Sequence, residues 1–516
     1  VFRELTDKQV WILLGLTLFA SFFANIWAVP LFDLDEGAFS EATREMFVRG
    51  DFMSTFLNGV PRYDKPILIY WLQAASTAIF GFNEFGFRLP SALAASGWVL
   101  MIFYFVSRIA DRQMAVVAAL LTATCVEISV MGKAATADAL LNFCITSTML
   151  MYFLHHRFGE RRHLYLFFMF MGLGFLTKGP VAIMIPAVVT FLFAAIQRDF
   201  KRWLRAVFNP TGILIFCVVA LPWYVAQSFK DNGAFLKAFF FKHNLGRFDT
   251  AMEKHSGGPF YYVPVVLFGV LPYTAALLLL LRRLPQLIKD ELAQYLLLWF
   301  AFVFVFFSFS GTKLPHYVVY GYSGICILMA LHLTELKNKW LTLLPGQLFL
   351  LFLLLVPLLL HLALPAIKDA HVRDMLAAYR DGWPAFYYIV TGSGVLLSLY
   401  LTFERRLWLS GKLLLLGLTT VLVVNYSILP AVGGLQQQAV KEAALLVREQ
   451  GIKEVVQVRF DVPSFNVYSR TISPHREVVP GDYVLTKASK LDKLDYPYQE
   501  VFRNNGVALV RLLPAE

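Results

Sequence analysis

The stretch VWILLGLTLFASFFANIWAVPLFDLDEGAFSEATREM, residues 10–46, decides how this chain folds. Its first part, 10–30, is an apolar run long enough to cross a hydrocarbon core of about 30 Å. Its last part, DLDEGAFSEATREM (33–46), sets the carboxylates Asp33, Asp35, Glu36, Glu41 and Glu45 at the mouth of that run. In a soluble protein this would be a solvated loop or a helix cap. In a membrane protein it marks an acidic site at the bilayer surface, so the rest of the chain has to decide.

Across 516 residues the chain is 58% hydrophobic and only 16% charged. Its mean hydropathy is +0.60, outside the range of soluble domains. About thirteen apolar runs recur, near 10–30, 88–107, 113–131, 138–155, 163–177, 179–197, 209–229, 260–281, 292–309, 316–334, 342–365, 383–403 and 412–430. With the N-terminus cytoplasmic, the short inner connections are RIADR, HHRFGERRH, QRDFKRWLR, RRLPQLIKDE, ELKNK and ERRLWLSGK. Each carries at least two Lys or Arg, as the positive-inside rule requires. Thirteen spans, an odd number, put the C-terminus on the outer side of the membrane. The net charge of +11 is explained largely by these inner loops, so nucleic acid is not an expected partner. The first run has no small-residue cleavage site after it and reads as a signal anchor. Cys125, Cys144, Cys217 and Cys326 all lie within apolar runs, which suits buried packing and offers neither a disulfide frame nor CxxC metal spacing.

Two domains are expected, 1–430 in the membrane and 431–516 outside it. The outer part reads as a small α/β unit. QQQAVKEAALLVREQG is an amphipathic helix ending at Gly451, and EVVQVRF, EVV, DYVLT and GVALVRL are strand candidates. Within the first outer loop, 31–87, EGAFSEATREMFVRG and KPILIYWLQAASTAIFG are expected to lie as helices in the interface. Tyr70 and Trp71 then sit at headgroup depth, and Glu41 and Glu45 face water beside Arg44.

Charged groups near a membrane are costly and default to a functional reading. Here they collect on one side. Asp35 and Glu36 follow the first run, Asp64 and Lys65 lie in PRYDKPILIYW, Asp138 in GKAATADALL and Lys178 in FLTKGP. His255 lies in FFFKHNLGRFDTAMEKHSGGPFYY, and Lys313, His316 and Tyr317 in FSGTKLPHY. One cluster on the outer face, with no charges crossing the midplane and no internal repeat, favours a catalytic cavity over a transport path.

DEGAFSEATREM, YDKPILIYW, TADALL, LTKGP and SGTKLPHY, in that order over about residues 30–335, resemble the bacterial membrane glycosyltransferases of the GT-C fold. The aminoarabinose transferases that modify lipid A are most alike, and the protein O-mannosyltransferases more distantly so. The resemblance implies an all-α polytopic enzyme that moves a sugar from an undecaprenyl phosphate carrier to an acceptor on the periplasmic face, with inversion at the anomeric carbon. The acceptor it implies is lipid A, with another polysaccharide, glycolipid or exported protein as the alternative. A lipid-linked sugar flippase is the reading from a different class.

Residue by residue, the resemblance implies a catalytic role for Asp35. It gives Asp138 to the sugar or an amine, and Lys65, Lys178, Lys313 and Tyr317 to the donor phosphate. Asp64, where the aminoarabinose transferases carry Glu, would share a divalent metal such as Zn²⁺ with His255. Glu36 reads as a helix-start charge. In SGTKLPHY, His316 takes the place of the Thr in the family's KLPTY motif. Phe39 stands where those transferases carry Tyr, which puts the aminoarabinose assignment, though not the reaction class, at issue.

Overall fold

The computed structural model describes residues 6–245, 257–377 and 382–514. Helix dominates, because a chain in lipid must satisfy its backbone hydrogen bonds internally. Each of the thirteen apolar runs falls on helix. Among the described residues seven helices are long and apolar enough to cross a membrane alone: Glu84–Ile109, Pro210–Lys230, Glu291–Phe309, Pro315–Glu335, Lys339–Ala366, Ala385–Phe403 and Leu409–Gln436. Four other runs coincide with Asp7–Leu18 (continued by Phe19–Phe23), Asp138–Phe158, Arg161–Lys178 and Val181–Gln197. The last two are broken, into Arg112–Ala123 with Val126–Met131 and Tyr262–Gly269 with Thr274–Leu287.

Short polar side chains fix where several helices begin. Asn83, Asp111, Asn209 and Asp290 each accept a hydrogen bond from the backbone N–H three residues on. The turn in LTKGP is fixed by Gly179. Its φ is +75°, and a Cβ there would lie 2.5 Å from the Phe239 ring. The deepest packing surrounds Asp138–Phe158, which is buried along nearly its whole length. Trp98 and Trp299 are fully buried nearby, their indole N–H groups bonded to Ser323 Oγ and the Tyr320 carbonyl.

The first outer loop carries helix Asp35–Arg49, a small hairpin of β1 (Phe56–Leu57) and β2 (Val60–Pro61), and helix Leu68–Phe80. Both helices are expected from the sequence, but their surroundings differ from expectation. Glu41 and Glu45 are fully buried instead of facing water. Glu41 takes two bonds of 2.7 Å from Arg44, and Glu45 accepts from the Gly59 N–H. Burial comes first in raising the Glu41 carboxyl to about 8, with the nearby Glu45 adding to it against the Arg44 bonds. Tyr70 is likewise fully buried, stacked on Phe39 with ring centroids 5.4 Å apart.

What covers this loop is the C-terminal unit. Helix Leu409–Gln436 leads into Gln438–Glu449, which ends at Gly451 as the sequence implies. A four-stranded sheet follows in the order β3 (Val456–Gln457), β4 (Tyr483–Lys487), β6 (Val507–Leu512), β5 (Tyr498–Asn504). Strands β3 and β4 are parallel and the other pairs antiparallel. The EVV run at 477–479 is not a strand, while β5 and the helix Pro463–Ser469 were not foreseen. That helix rests on Asp35–Arg49. Arg44 donates to the carbonyls of Thr471 and Arg470, Asn466 donates to Asn58, and Ser464 donates its backbone and hydroxyl groups to Asp33.

Candidate active site

Two ionised groups brought together from distant parts of the chain hold the acidic stretch in place. Glu36 is buried, and Arg88, at the start of a spanning helix, grips it through Nε at 2.8 Å and Nη2 at 2.6 Å. The same carboxylate accepts from the Phe32 N–H at 2.9 Å and the Ala135 N–H at 2.7 Å. Arg88 spends its remaining donors on the carbonyls of Ile26, Val29 and Pro30. Burial alone would raise the Glu36 carboxyl, but the Arg88 charge and these bonds outweigh it and hold the acid below its ordinary value. Glu36 is therefore more than a helix-start charge. It locks the end of the first run, the start of Asp35–Arg49 and the segment before Asp138 to one another.

Asp35, the neighbouring residue, is left exposed at the start of that helix. The N-cap position belongs to Leu34, so Asp35 is not occupied in capping. Among the described residues its carboxylate makes no hydrogen bond or ion pair. It faces a cavity of about 200 Å³ that also takes in Phe39, Asp64, Lys65, Asp138, Lys178, His316 and Tyr317. The residues singled out in five separate stretches of sequence thus meet in one place.

Within the cavity, Lys178 and Asp138 are a fixed pair. Lys178 Nζ donates to Asp138 Oδ1 at 2.5 Å and to the Tyr320 hydroxyl at 2.8 Å, and that hydroxyl donates to Asp138 at 2.7 Å. His316 Nε2 lies 3.8 Å from the same carboxylate oxygen. The ammonium also sits 5.5 Å from the centroids of the Tyr317 and Tyr320 rings. Asp138 heads its helix without capping it, so its carboxylate serves as the counter-charge that holds Lys178. Opposite, Arg62 pairs with Asp64 at 3.3 Å and lies 5.4 Å from the Phe39 ring, while Lys65 Nζ bonds the Asp64 carbonyl at 3.1 Å.

Not every expected residue reaches the cavity. Lys313 is buried with its ammonium on the Ser310 carbonyl at 2.9 Å, and its neighbours Thr312 and Leu314 line the cavity instead. His255 lies outside the described residues. Among the described residues no group of three or more metal-ligating side chains gathers, and Asp64, the described half of the expected metal pair, has Arg62 on its carboxylate. Sequence reasoning missed Arg62, Tyr320 and the contribution of the C-terminal unit, which adds Asp461 and Pro463 to the cavity wall. The segment Pro315–Gly321 is a 3₁₀ helix, whose three-residue repeat stacks Tyr320 over Tyr317.

Residues 64–225 match the family model of dolichyl-phosphate-mannose-protein mannosyltransferase. The chain is 30% identical over 333 residues to an uncharacterized protein of Aquifex aeolicus, covering 64% of this chain and 75% of that one. It is similar to the undecaprenyl phosphate-alpha-4-amino-4-deoxy-L-arabinose arabinosyl transferases of Yersinia enterocolitica and Aeromonas hydrophila, at 27% identity over 336 residues and 30% over 317. Those matches cover 63% and 60% of this chain, and the chain spans only 60% and 57% of the two transferases' own lengths. In structure it is similar to ArnT from Cupriavidus metallidurans bound to undecaprenyl phosphate, with a TM-score of 0.82 at 20% identity over 98% of both chains. It is more distantly similar to the Archaeoglobus fulgidus oligosaccharyltransferase, with a TM-score of 0.52 at 12% identity over 94% of this chain and 70% of that one. The chain thus has the fold of the GT-C membrane glycosyltransferases, and it belongs to one family with the Aquifex aeolicus protein.

Proposed function

We propose that this multi-pass membrane protein is a glycosyltransferase of the bacterial inner membrane. It moves 4-amino-4-deoxy-L-arabinose from undecaprenyl phosphate to a phosphate of lipid A on the periplasmic face, with its N-terminus in the cytoplasm. The observation that carries the reading is the single cavity where the unengaged Asp35 faces Lys65, Lys178 and Arg62. The named relatives and the structural likeness support the choice of carrier and sugar.

The chemistry follows from where the charges stand. An acceptor oxygen attacks the anomeric carbon while the bond from that carbon to the carrier phosphate breaks. The electron pair leaves on the phosphate oxygen. The cations meet the negative charge that grows there. Lys178 is held for this by Asp138 and Tyr320, so little reorganisation accompanies the reaction. Asp35 takes the acceptor's proton, or orients an acceptor that has already lost it. Attack from the face opposite the departing phosphate inverts the anomeric centre.

A divalent ion between Asp64 and His255 belongs to the reading only through the family resemblance, and no step above runs through it. Asp64, the described half of that pair, is already paired with Arg62. A second reading, transfer to another glycolipid, polysaccharide or exported protein, is favoured by one observation. Phe39 brings a bare ring into the cavity where a hydroxyl would bond the sugar. Mass spectrometry of lipid A from cells with and without the gene separates the two. An added mass of one aminopentose per modified lipid supports the first, and identical lipid A spectra leave only the second.

A further inference from the structure

Beside the cavity just described lies another of about 200 Å³, and Asp35, Thr136 and His316 line both. Asp35 therefore stands on the wall between two chambers. The second chamber holds Lys133, only 5% exposed, near the outer end of the third apolar run. Lys133 donates to the side-chain oxygen of Asn425, its one hydrogen-bond partner among the described residues, and makes no ion pair among them. A buried ammonium without a counter-charge is among the costliest groups a protein can keep.

The surroundings are built around that ammonium. Asn425 sits in the π-helical turn Val424–Ile428, opposite a second π-helical turn, Phe19–Phe23. Its side-chain amide donates to the Ala20 carbonyl at 2.8 Å, which turns its oxygen toward Lys133, and Asn25 donates to the Asn425 backbone carbonyl at 2.9 Å. Arg88, which also lines the chamber, is already neutralised by Glu36. Burial, and after it the Arg88 charge, lowers the Lys133 pKa. The remainder of the wall includes Val29, Met131, Leu429 and the Asp33 carboxyl, which accepts from the Ser464 N–H, and through Val130, Met131 and His316 it continues into an open apolar groove of about 640 Å³.

We propose that the Lys133 chamber is the phosphate subsite of the acceptor lipid, separate from the donor phosphate site at Lys65 and Lys178. The inference rests on the transferase reading above. A phosphate monoester in this chamber supplies the anion that Lys133 lacks, and its acyl chains find the adjoining apolar groove. Asp35 then lies between donor and acceptor, where a proton acceptor for the attacking oxygen has to be.

The test is binding of the full-length protein in detergent, saturated with undecaprenyl phosphate. The probes are bisphosphorylated lipid A, the same lipid stripped of phosphate, and inorganic phosphate as competitor. Wild type should prefer the phosphorylated lipid by at least about tenfold, the scale of one charge-assisted hydrogen bond. Lys133→Gln should lose that preference, Lys133→Arg should retain it, and both should bind undecaprenyl phosphate as wild type does. Asn425→Asp, which gives the ammonium an internal anion, should also lose the preference and serves if Lys133→Gln does not fold. The proposal is overturned if wild type shows no preference, if either variant expected to lose it retains it, or if Lys133→Gln loses undecaprenyl phosphate as well. Displacement of the lipid by inorganic phosphate at equal concentration overturns the lipid assignment. Sugar transfer is assayed separately, so wild type that binds with phosphate preference but transfers nothing refutes the transferase reading and not the subsite.

Discussion

Glu36→Gln is a sharp perturbation because it changes charge and almost nothing else. Each carboxylate oxygen of Glu36 accepts two hydrogen bonds. Oε1 takes Arg88 Nε and the Ala135 N–H, and Oε2 takes Arg88 Nη2 and the Phe32 N–H. Glutamine turns one of those oxygens into an NH₂ group, which then faces two donors whichever way the amide is turned. Two bonds are lost and Arg88 is left buried without its counter-charge. Breaking one side of such a pair costs about 3–5 kcal/mol. Activity should fall further, because the Ala135 N–H bond sets the segment that leads to Asp138, and Asp35 is the next residue in the chain. A displacement of about 1 Å there costs on the order of 100-fold in rate. Thermal unfolding of the purified protein followed by fluorescence, together with the rate of sugar transfer, reads both effects. Glu36→Leu combined with Arg88→Met should unfold at a higher temperature than Glu36→Leu alone, since no charge is then stranded. If Glu36→Gln matches wild type in stability and rate, the reasoning fails.

Lys178→Met should cost far more than Tyr320→Phe, about 3–5 against about 1 kcal/mol. The first strands the buried Asp138, whereas the second removes one hydroxyl and leaves the 2.5 Å ion pair intact. Tyr320→Phe should raise KM for the donor by a few-fold with kcat little changed, measured by initial rates. Asp33 carries a pH signature. Burial above all, then the charges of Asp461 and Glu36, raises its carboxyl to about 7 from an ordinary 3.8, against the Ser464 bonds. The folded protein holds that proton more tightly than the unfolded chain. Its contribution to stability is therefore complete below about pH 3.8 and is lost as pH rises through about 7. The unfolding temperature should fall over this window less steeply in Asp33→Asn than in wild type. Exhaustive chelation tests the metal half of the reading. Lost transfer restored by Zn²⁺ in wild type, and not in Asp64→Ala, places an ion there, whereas unchanged activity removes it.

The helices were legible because a spanning segment must be apolar over its length, a pattern that needs no partner to be recognised. The site was legible for a related reason. Charge is expensive near a bilayer, so Asp35, Asp64, Lys65, Asp138 and Lys178 stood out by type and position. What could not be read was which carboxylates were already engaged. Glu36 and Glu41 look as available as Asp35 until Arg88, far along the chain, closes on the first and the Arg44 pair is covered by Thr471. Tyr70 looked amphipathic enough for the interface, and only the packing of Leu68–Phe80 against Phe39 shows it enclosed. Lys313 was misplaced because TKLPH gives no sign of which way a side chain turns. Here the 3₁₀ turn that follows offers Tyr317 to the cavity, while the lysine folds back on Ser310.

The most direct test of the central claim is the initial rate of sugar transfer from an undecaprenyl phosphate donor to lipid A by the purified protein and its Asp35→Asn variant. The Asp35 carboxylate makes no hydrogen bond or ion pair among the described residues, so the variant should fold and unfold as wild type does. Its rate should fall by about 100- to 10,000-fold, the range for removal of a proton acceptor. A correctly folded Asp35→Asn protein that transfers sugar at the wild-type rate would contradict the account.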